Sequence, residues 1–194
     1  MYRAADRYNE LTDHYKKKLF SNLSGRVLEI GAGTGANLGY YPKDMDLIIL
    51  EPSPYMQRYL KEKAENIGRS VEIHTGVAED LPFSDESFDS VISTLVLCSV
   101  DELNQSLSEI KRVLKPGGRF YFIEHVAAHE SSWLRTLQNM ITPLWKRIAD
   151  GCHPNRDTAD FIRQNNFKDI KIERVRLKLP VVSPHIIGSA AKPK

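Results

Sequence analysis

Hydrophobic positions along this chain fall into short, dense runs separated by stretches in which they recur every three or four residues. RVLEI (26–30), DLIILE (46–51), VEIHTG (71–76), FDSVIST (88–94) and RFYFIEHV (119–126) are β-branched or aromatic runs bounded by turn residues, and each is predicted to be a strand. Between the second and third, Ser53 is placed to cap a helix with Pro54 at its first position, where a missing N–H costs nothing, and that helix is predicted to reach about Gly68. Between the fourth and fifth, Asp101 is expected to cap ELNQSLSEIKRVLK, whose Leu103, Leu107, Ile110 and Leu114 share a face before Pro116-Gly117-Gly118 ends it. A further helix is expected around RDTADFIRQNN (156–166). IKIERVRLKL (170–179) and HIIGSAAK (185–192) have no helix between them and predict an antiparallel hairpin at a sheet edge. Alternation of strand and helix predicts a largely parallel sheet of five βα units with helices on both faces. The closing hairpin sets it apart from a dinucleotide-binding fold, which continues in parallel crossovers.

Length and composition narrow the picture. The 194 residues are of single-domain size, and no internal repeat or low-complexity tract divides them. The formal net charge of +2 gives no reason to expect nucleic acid as a partner. Cys98 and Cys152 lie far apart without any C-x-x-C or His/Cys ligand spacing, so neither a disulfide framework nor a metal site is expected. No run approaches the roughly 20 apolar residues of a membrane-spanning helix, and MYRAADRYNE has no signal-peptide core. The expectation is a cytoplasmic chain in a reducing compartment.

The stretch LEIGAGTGANLGYYP (28–42) places Gly31, Gly33 and Gly35 directly after the first strand, with Asn37 following and Pro42 expected to stop the next helix. Gly31, Gly33 and Ala36 satisfy the loose pattern of a pyrophosphate-binding turn. Glu29 opposes that reading. A carboxylate facing a pyrophosphate costs several kcal/mol for unit charges about 4 Å apart at intermediate dielectric. S-adenosylmethionine has no phosphate and carries an ammonium, which Glu29 would attract directly or through water. Glu51 ends the second strand 20 residues after Gly31, where an acid reaches the two ribose hydroxyls of an adenine nucleoside. Ala78 and Glu79 follow the third strand and are expected at the adenine edge.

LEIGAGTGAN, ILEPSPYM, AEDLPFSDESFD and VLKPGGRFYFIEHV, in this order and spacing, resemble the class I S-adenosylmethionine-dependent methyltransferases over almost the whole chain. The resemblance implies an α/β, Rossmann-like sheet of seven strands with the last antiparallel, S-adenosylmethionine as cofactor and S-adenosylhomocysteine as product. It also implies a cofactor set of Glu29, Gly31, Gly33, Gly35, Asn37, Glu51, Pro52, Met56, Ala78, Glu79, Thr94, Leu95 and Val96. Val77 stands where many members have an Asp, which leaves the adenine amino group to backbone or to Glu79. YKKKLFSNL, TLVLCSV, FYFIEHVAAHESSWLR, DGC followed by Arg156, and PHIIG are similar to the methyltransferase-like thiol S-methyltransferases of animals. That narrower resemblance implies methyl transfer to small lipophilic thiols. Other acceptors consistent with the class are a phospholipid amine and a quinone-type ring carbon; a catalytically silent cofactor-binding module is the alternative outside catalysis.

Methyl transfer from a sulfonium is an in-line displacement that chiefly needs alignment and exclusion of water. A thiol acceptor benefits from a base, and His125, at the C-terminal end of the fifth strand where open α/β sheets bind ligands, is the candidate, with Glu124 beside it as partner and Asp150 as a second acidic group. Cys98 is expected to be core. Asp150, Cys152, His153, Arg156 and Asp157 are expected to form one wall of an acceptor pocket. One domain is expected over residues 1–194, with an N-terminal helix at 1–24 and residues 127–160 as an acceptor-side cap. Within that cap Trp133, Leu134, Leu137, Met140, Ile141, Leu144, Trp145 and Ile148 form an apolar face, and Pro143 is expected to break or kink the helix into two arms. The thiol methyltransferase family is held on endoplasmic reticulum and lipid droplets by a hydrophobic N-terminal anchor with no counterpart in MYRAADRYNE, and residues 131–149 are expected to supply peripheral membrane contact in its place.

Overall fold

Strands that are apolar on both faces need cover on both, and this chain supplies it from two helical layers. The computed structural model describes residues 2–194, with side chains from Arg7 onward. One sheet holds β1 (Arg26–Ile30), β2 (Asp46–Leu50), β3 (Glu72–His74), β4 (Phe88–Thr94), β5 (Leu114–His125), β6 (Lys168–Arg176) and β7 (Pro184–Ala191). The helices are α1 (Tyr2–Phe20), α2 (Pro54–Asn66), α3 (Leu103–Val113), α4 (Trp133–Ile148) and α5 (Thr158–Gln164). Strand order is β3-β2-β1-β4-β5-β7-β6. β1 to β5 are parallel, and β7 inserts antiparallel between β5 and β6. The expected hairpin is therefore present, with its second strand buried inside the sheet and its first at the edge. The chain reverses its direction of winding between β1 and β4, and ligands of open α/β sheets bind at that reversal, beyond the strand C-termini.

Phe20 of α1 and Leu60 and Ala64 of α2 pack on one face of the sheet with Val27 and Ile49. Leu107 and Ile110 of α3 and Ile162 of α5 pack on the other with Leu28 and Phe120. Lys16 is fully buried in α1: its Nζ donates to Asn9 Oδ1 at 2.7 Å and lies 5.4 Å from the Tyr40 ring centroid, which presses α1 onto the glycine loop.

Four local expectations are corrected. The glycine loop leads to turns and a single 3₁₀ turn, Leu38–Tyr40, in place of a helix, because Gly33 and Gly35 hold φ of +56° and +77°. The β3–β4 connection is a loop with an isolated Val77–Asp80 bridge, so only some of the parallel connections are helical. α3 begins at Leu103 with Glu102 as its cap residue, and the cap comes from elsewhere: Glu79 Oε1 accepts from the amides of Asp101 (2.9 Å) and Glu102 (3.4 Å). Leu114 leaves the helix to pair with Phe88, and Pro116-Gly117-Gly118 forms an irregularity inside β5 before Arg119 pairs with Ser90.

Candidate active site

Beyond the C-termini of β1, β2 and β4 lies a cavity of about 690 Å³ whose walls include Gly31, Gly33, Glu51, Met56, Ala78 and Val96. Its volume suits a nucleoside-sized ligand. Gly33 supplies the close approach: with φ +56°, a Cβ built there meets nothing within 4 Å. Gly31 and Gly35 are needed for packing instead, since a Cβ would stand 2.5 Å from Val96 Cγ2 at Gly31 and 2.7 Å from Leu60 Cδ1 at Gly35. Glu51 joins the loop to α2. Its Oε2 accepts from the Gly33 amide at 2.7 Å and its Oε1 from the Ser53 amide at 2.9 Å. Ser53 in turn caps α2 through the Met56 amide at 3.4 Å, behind Pro54, as its sequence predicts.

Glu29 is buried on the opposite side of the loop. Its Oε1 accepts from Asn37 Nδ2 at 2.7 Å, and Asn37 also reaches Thr94 Oγ1 at 3.1 Å, so β1, the glycine loop and β4 are tied together. Burial raises the Glu29 carboxyl to about 7 against the hydrogen bond from Asn37 and the charge of Lys16, and burial lowers Lys16 to about 8. Glu29 Oε2 and Asn37 Oδ1 are buried acceptors without a well-formed hydrogen bond among the described residues, and the equally buried Tyr41 hydroxyl is the donor beside them. Buried acceptors are costly unless a donor completes them, and here the Tyr41 hydroxyl is the donor within reach. The open position at Gly33 and the Glu51 carboxylate fit S-adenosylmethionine, while Glu29 and Asn37 stand behind the cavity wall and hold the loop in place.

At the far end of the cavity are Pro52, Ala78, Glu79 and Gln105. Gln105 was not singled out from the sequence; its Nε2 donates to the Glu79 carbonyl at 2.9 Å, and only the packing of α3 brings it there. The Glu79 carboxylate is spent on the start of α3.

The fourth wall is the segment after β4. Leu95 holds a left-handed φ of +58°, unfavourable for a branched side chain, and surrounding bonds enforce it. Leu95 N donates to the Ile123 carbonyl at 2.9 Å, and Glu124 Oε1 accepts from Ser93 Oγ and from the amides of Val96 (3.1 Å) and Leu97 (3.2 Å). Arg156 Nη1 closes the same segment through the carbonyls of Leu97 (2.8 Å) and Val100 (2.6 Å). Glu124 therefore shapes the cavity wall, and it makes no hydrogen bond to His125, because consecutive strand residues face opposite sides of the sheet. Burial holds the Glu124 carboxyl above its usual range.

His125, expected as a base, turns to a residue expected only as part of a wall. Its Nε2 stands 2.9 Å from Cys152 Sγ, and Trp145 Nε1 donates to the same sulfur at 3.2 Å. Cys98, expected to be plain core, joins them: the ligand atoms of Cys98, His125 and Cys152 all lie within 4.8 Å of one another. Strand order brings together here what sequence spacing separates. Cys98, its hydrogen-bonding partner, draws the Cys152 thiol down, helped by His125, while the same contact and burial push Cys98 up. His125 Nδ1, Glu124 Oε2 and the Tyr8 hydroxyl are buried without partners among the described residues, and Glu124 and Cys98 both act electrostatically on Tyr8. Asp150 is exposed, lines the cavity and lies outside the cluster.

Helix α4 runs straight through Pro143, whose missing N–H removes a single backbone bond. Gln138 docks it, accepting from Ala128 N at 2.8 Å and donating to the Val181 carbonyl at 2.9 Å. The predicted apolar face divides. Leu134, Leu137, Ile141 and Trp145 are half-buried, whereas Trp133, Met140, Leu144 and Ile148 are 64–77% exposed. No helix among the described residues is long and apolar enough to cross a membrane.

With this geometry in hand, known proteins give a consistent picture. A family model described as a methyltransferase domain matches residues 28–122. Human thiol S-methyltransferase TMT1A is 39% identical over 95% of this chain and 81% of its own length. A phosphatidylethanolamine N-methyltransferase of Cereibacter sphaeroides is 34% identical, over 53% of this chain and 52% of its own. Among solved structures, the [4+2]-cyclase SpnF superposes with a TM-score of 0.74 at 21% identity, over 95% of this chain and 80% of its own. YcgJ of Bacillus subtilis superposes at 0.73 and 18%, over 96% and 99%. Those two show the fold alone, and a cyclase among them illustrates that chemistry resides in the site. The chain belongs to the thiol S-methyltransferase family, within the class I S-adenosylmethionine-dependent methyltransferases.

Proposed function

We propose that this protein transfers the methyl group of S-adenosylmethionine to the sulfur of a small lipophilic thiol. The observation that carries the reading is the buried Cys98–His125–Cys152 group next to the cavity wall, in a chain 39% identical over 95% of its length to a thiol S-methyltransferase. When bound, S-adenosylmethionine supplies an electrophilic methyl on a sulfonium centre. Glu51 takes the ribose hydroxyls, Gly33 gives the loop its close approach, and Met56, Pro52 and Ala78 flank the adenine. Asn37 and Glu29 hold the glycine loop from behind, and the Glu29 carboxyl attracts the ammonium through it. Leu95 and Val96, pinned by Glu124, wall the side from which the acceptor enters. His125 promotes loss of the acceptor's proton, and α4 covers the acceptor and excludes water. The exposed Trp133, Met140, Leu144 and Ile148, bordered by Lys146 and Arg147, form the contact with a lipid surface from which a lipophilic thiol is drawn.

The test is transfer of a radiolabelled methyl to matched panels of alkyl and aryl thiols, phospholipid amines and reduced quinones. Turnover on thiols, at least tenfold above the other classes, is the expected result. His125→Ala should then lower kcat on thiols about a hundredfold with S-adenosylhomocysteine affinity unchanged. Preferential methylation of an amine or a ring carbon would overturn the assignment.

A further inference from the structure

Three motifs set apart in the sequence each contribute one member of the buried cluster: TLVLCSV holds Cys98, FYFIEHVAAH holds His125 and DGC holds Cys152. The three belong to different parts of the fold: the loop after β4, the end of β5, and the segment after α4. Core packing does not require this. Two buried sulfurs alone would pass as core, but a buried imidazole is a poor filler, because its ring nitrogens demand partners. Cys98, His125 and Cys152 are only 2%, 4% and 8% exposed, and His125 Nε2 is turned to Cys152 Sγ at 2.9 Å.

We infer that Cys98, His125 and Cys152 form a site for one zinc ion, which keeps its fourth position for the sulfur of the acceptor. The inference rests on the thiol reading above. Two sulfurs and one imidazole nitrogen are a soft donor set that selects Zn²⁺ over Mg²⁺ or Ca²⁺, and three protein ligands leave a tetrahedral ion with one open position. Tetrahedral bonds of about 2.3 Å to sulfur and 2.0 Å to nitrogen place the ligand atoms roughly 3.5–3.8 Å apart. The observed atoms lie within 4.8 Å of one another, and the 2.9 Å contact between His125 Nε2 and Cys152 Sγ needs to open by only about 0.6 Å to admit the ion. The indole N–H can only donate, so Trp145 meets Cys152 Sγ as an acceptor, and a metal-bound thiolate keeps that bond. Ser99 and Asp150, chain neighbours of Cys98 and Cys152, line the cavity, so the cluster lies just behind its wall.

The chemistry balances with the established methyl donor. Both cysteines lose their protons to solvent as zinc binds, and the acceptor R–SH loses its own as its sulfur takes the fourth position. An electron pair of that sulfur forms the new S–CH₃ bond while the bond from methyl to sulfonium sulfur breaks, its electron pair staying on the donor as a neutral thioether. The methylated product, itself a neutral thioether, binds zinc weakly and leaves. With zinc bound, His125 promotes loss of the acceptor's proton as a ligand of the ion that takes up the thiol, a role that fits its burial.

Cobalt(II) is the probe, because it takes the same tetrahedral sites and reports them by absorption. Metal-free protein titrated with Co²⁺ should show sulfur-to-cobalt charge-transfer bands and tetrahedral ligand-field bands saturating at one equivalent. Cys98→Ser, Cys152→Ser and His125→Ala, each checked for folding by S-adenosylhomocysteine binding, should weaken Co²⁺ at least tenfold; Trp145→Phe, which removes no ligand, should retain it. Adding an alkyl thiol should shift the ligand-field bands. Absence of a one-equivalent tetrahedral spectrum in the wild-type protein, or quantitative recovery of a Cys98–Cys152 disulfide from reduced, zinc-supplemented preparations, would overturn the site. Bands that ignore added thiol would overturn its acceptor role. A thiol-responsive cobalt site in a protein that methylates only amines would support the metal and refute the thiol function, so the two failures are distinguishable.

Discussion

Replacing Glu51 by Ala tests how the cofactor cavity is held together. The carboxylate is 4% exposed and bridges two elements, accepting from Gly33 N at 2.7 Å and Ser53 N at 2.9 Å. Deleting it strands two amide donors at about 1–3 kcal/mol each, and water entering from the adjoining cavity keeps the total near the low end, about 2 kcal/mol. For a chain of this size that corresponds to a fall in melting temperature of roughly 4–8 °C. Affinity falls as well. Each carboxylate oxygen retains a lone pair for a ribose hydroxyl, and losing those charge-assisted bonds weakens S-adenosylhomocysteine roughly ten- to a hundredfold. Glu51→Gln is expected between wild type and Ala, because its oxygen serves one amide while its NH₂ faces the other as a second donor. Scanning fluorimetry gives the first number and titration calorimetry the second. A folded Glu51→Ala protein with a dissociation constant within twofold of wild type would refute the ribose assignment; an unchanged melting temperature would refute the clamp.

Three further predictions concern separate parts of the molecule. Burial lifts Glu29 from its ordinary 4.5 to about 7, so the folded state holds its proton longer than the unfolded chain and loses stability as pH rises from 4.5 to 7. Glu29→Gln removes that dependence and should gain up to about 3 kcal/mol on wild type between pH 4.5 and 7.5, a window below the titration of Lys16; denaturation curves that change in parallel with pH would contradict it. Gly35→Ala forces a methyl against Leu60 and Leu38 at a φ of +77° and should lower the melting temperature, whereas Gly33→Ala, with open space before it, should act mainly on cofactor affinity; the reverse pattern in fluorimetry and calorimetry would refute the division of roles. Trp133→Ser with Leu144→Ser should cut sedimentation with anionic vesicles at least severalfold while leaving the melting temperature within about 2 °C, as expected of side chains that are 77% and 64% exposed; a large loss of stability would mean that the stripe is core.

What the sequence determined by itself is what short-range physics governs. The strand runs, the Ser53–Pro54 helix start, the glycine loop and the acidic residue ending β2 are all legible because each depends on sterics and hydrogen bonds within a few residues. The largely parallel sheet followed from the alternation of strand and helix, and its seven strands with the last antiparallel from the resemblance carried by four ordered motifs; the strand order came from the structure. Tertiary structure decided the rest. Glu79 caps a helix 23 residues away, Gln138 docks α4, and α4 runs through Pro143, each through partners that no local rule names. Gly31, Gly33 and Gly35 read alike in the sequence, and only their surroundings separate the one facing the cavity from the two facing side chains. Above all, Cys98, His125 and Cys152 meet because β4 and β5 are adjacent parallel strands whose ends lie together and because α4 returns the chain across them. Sequence spacing carries no trace of such a meeting, since a parallel crossover erases along the chain the proximity that it creates in space.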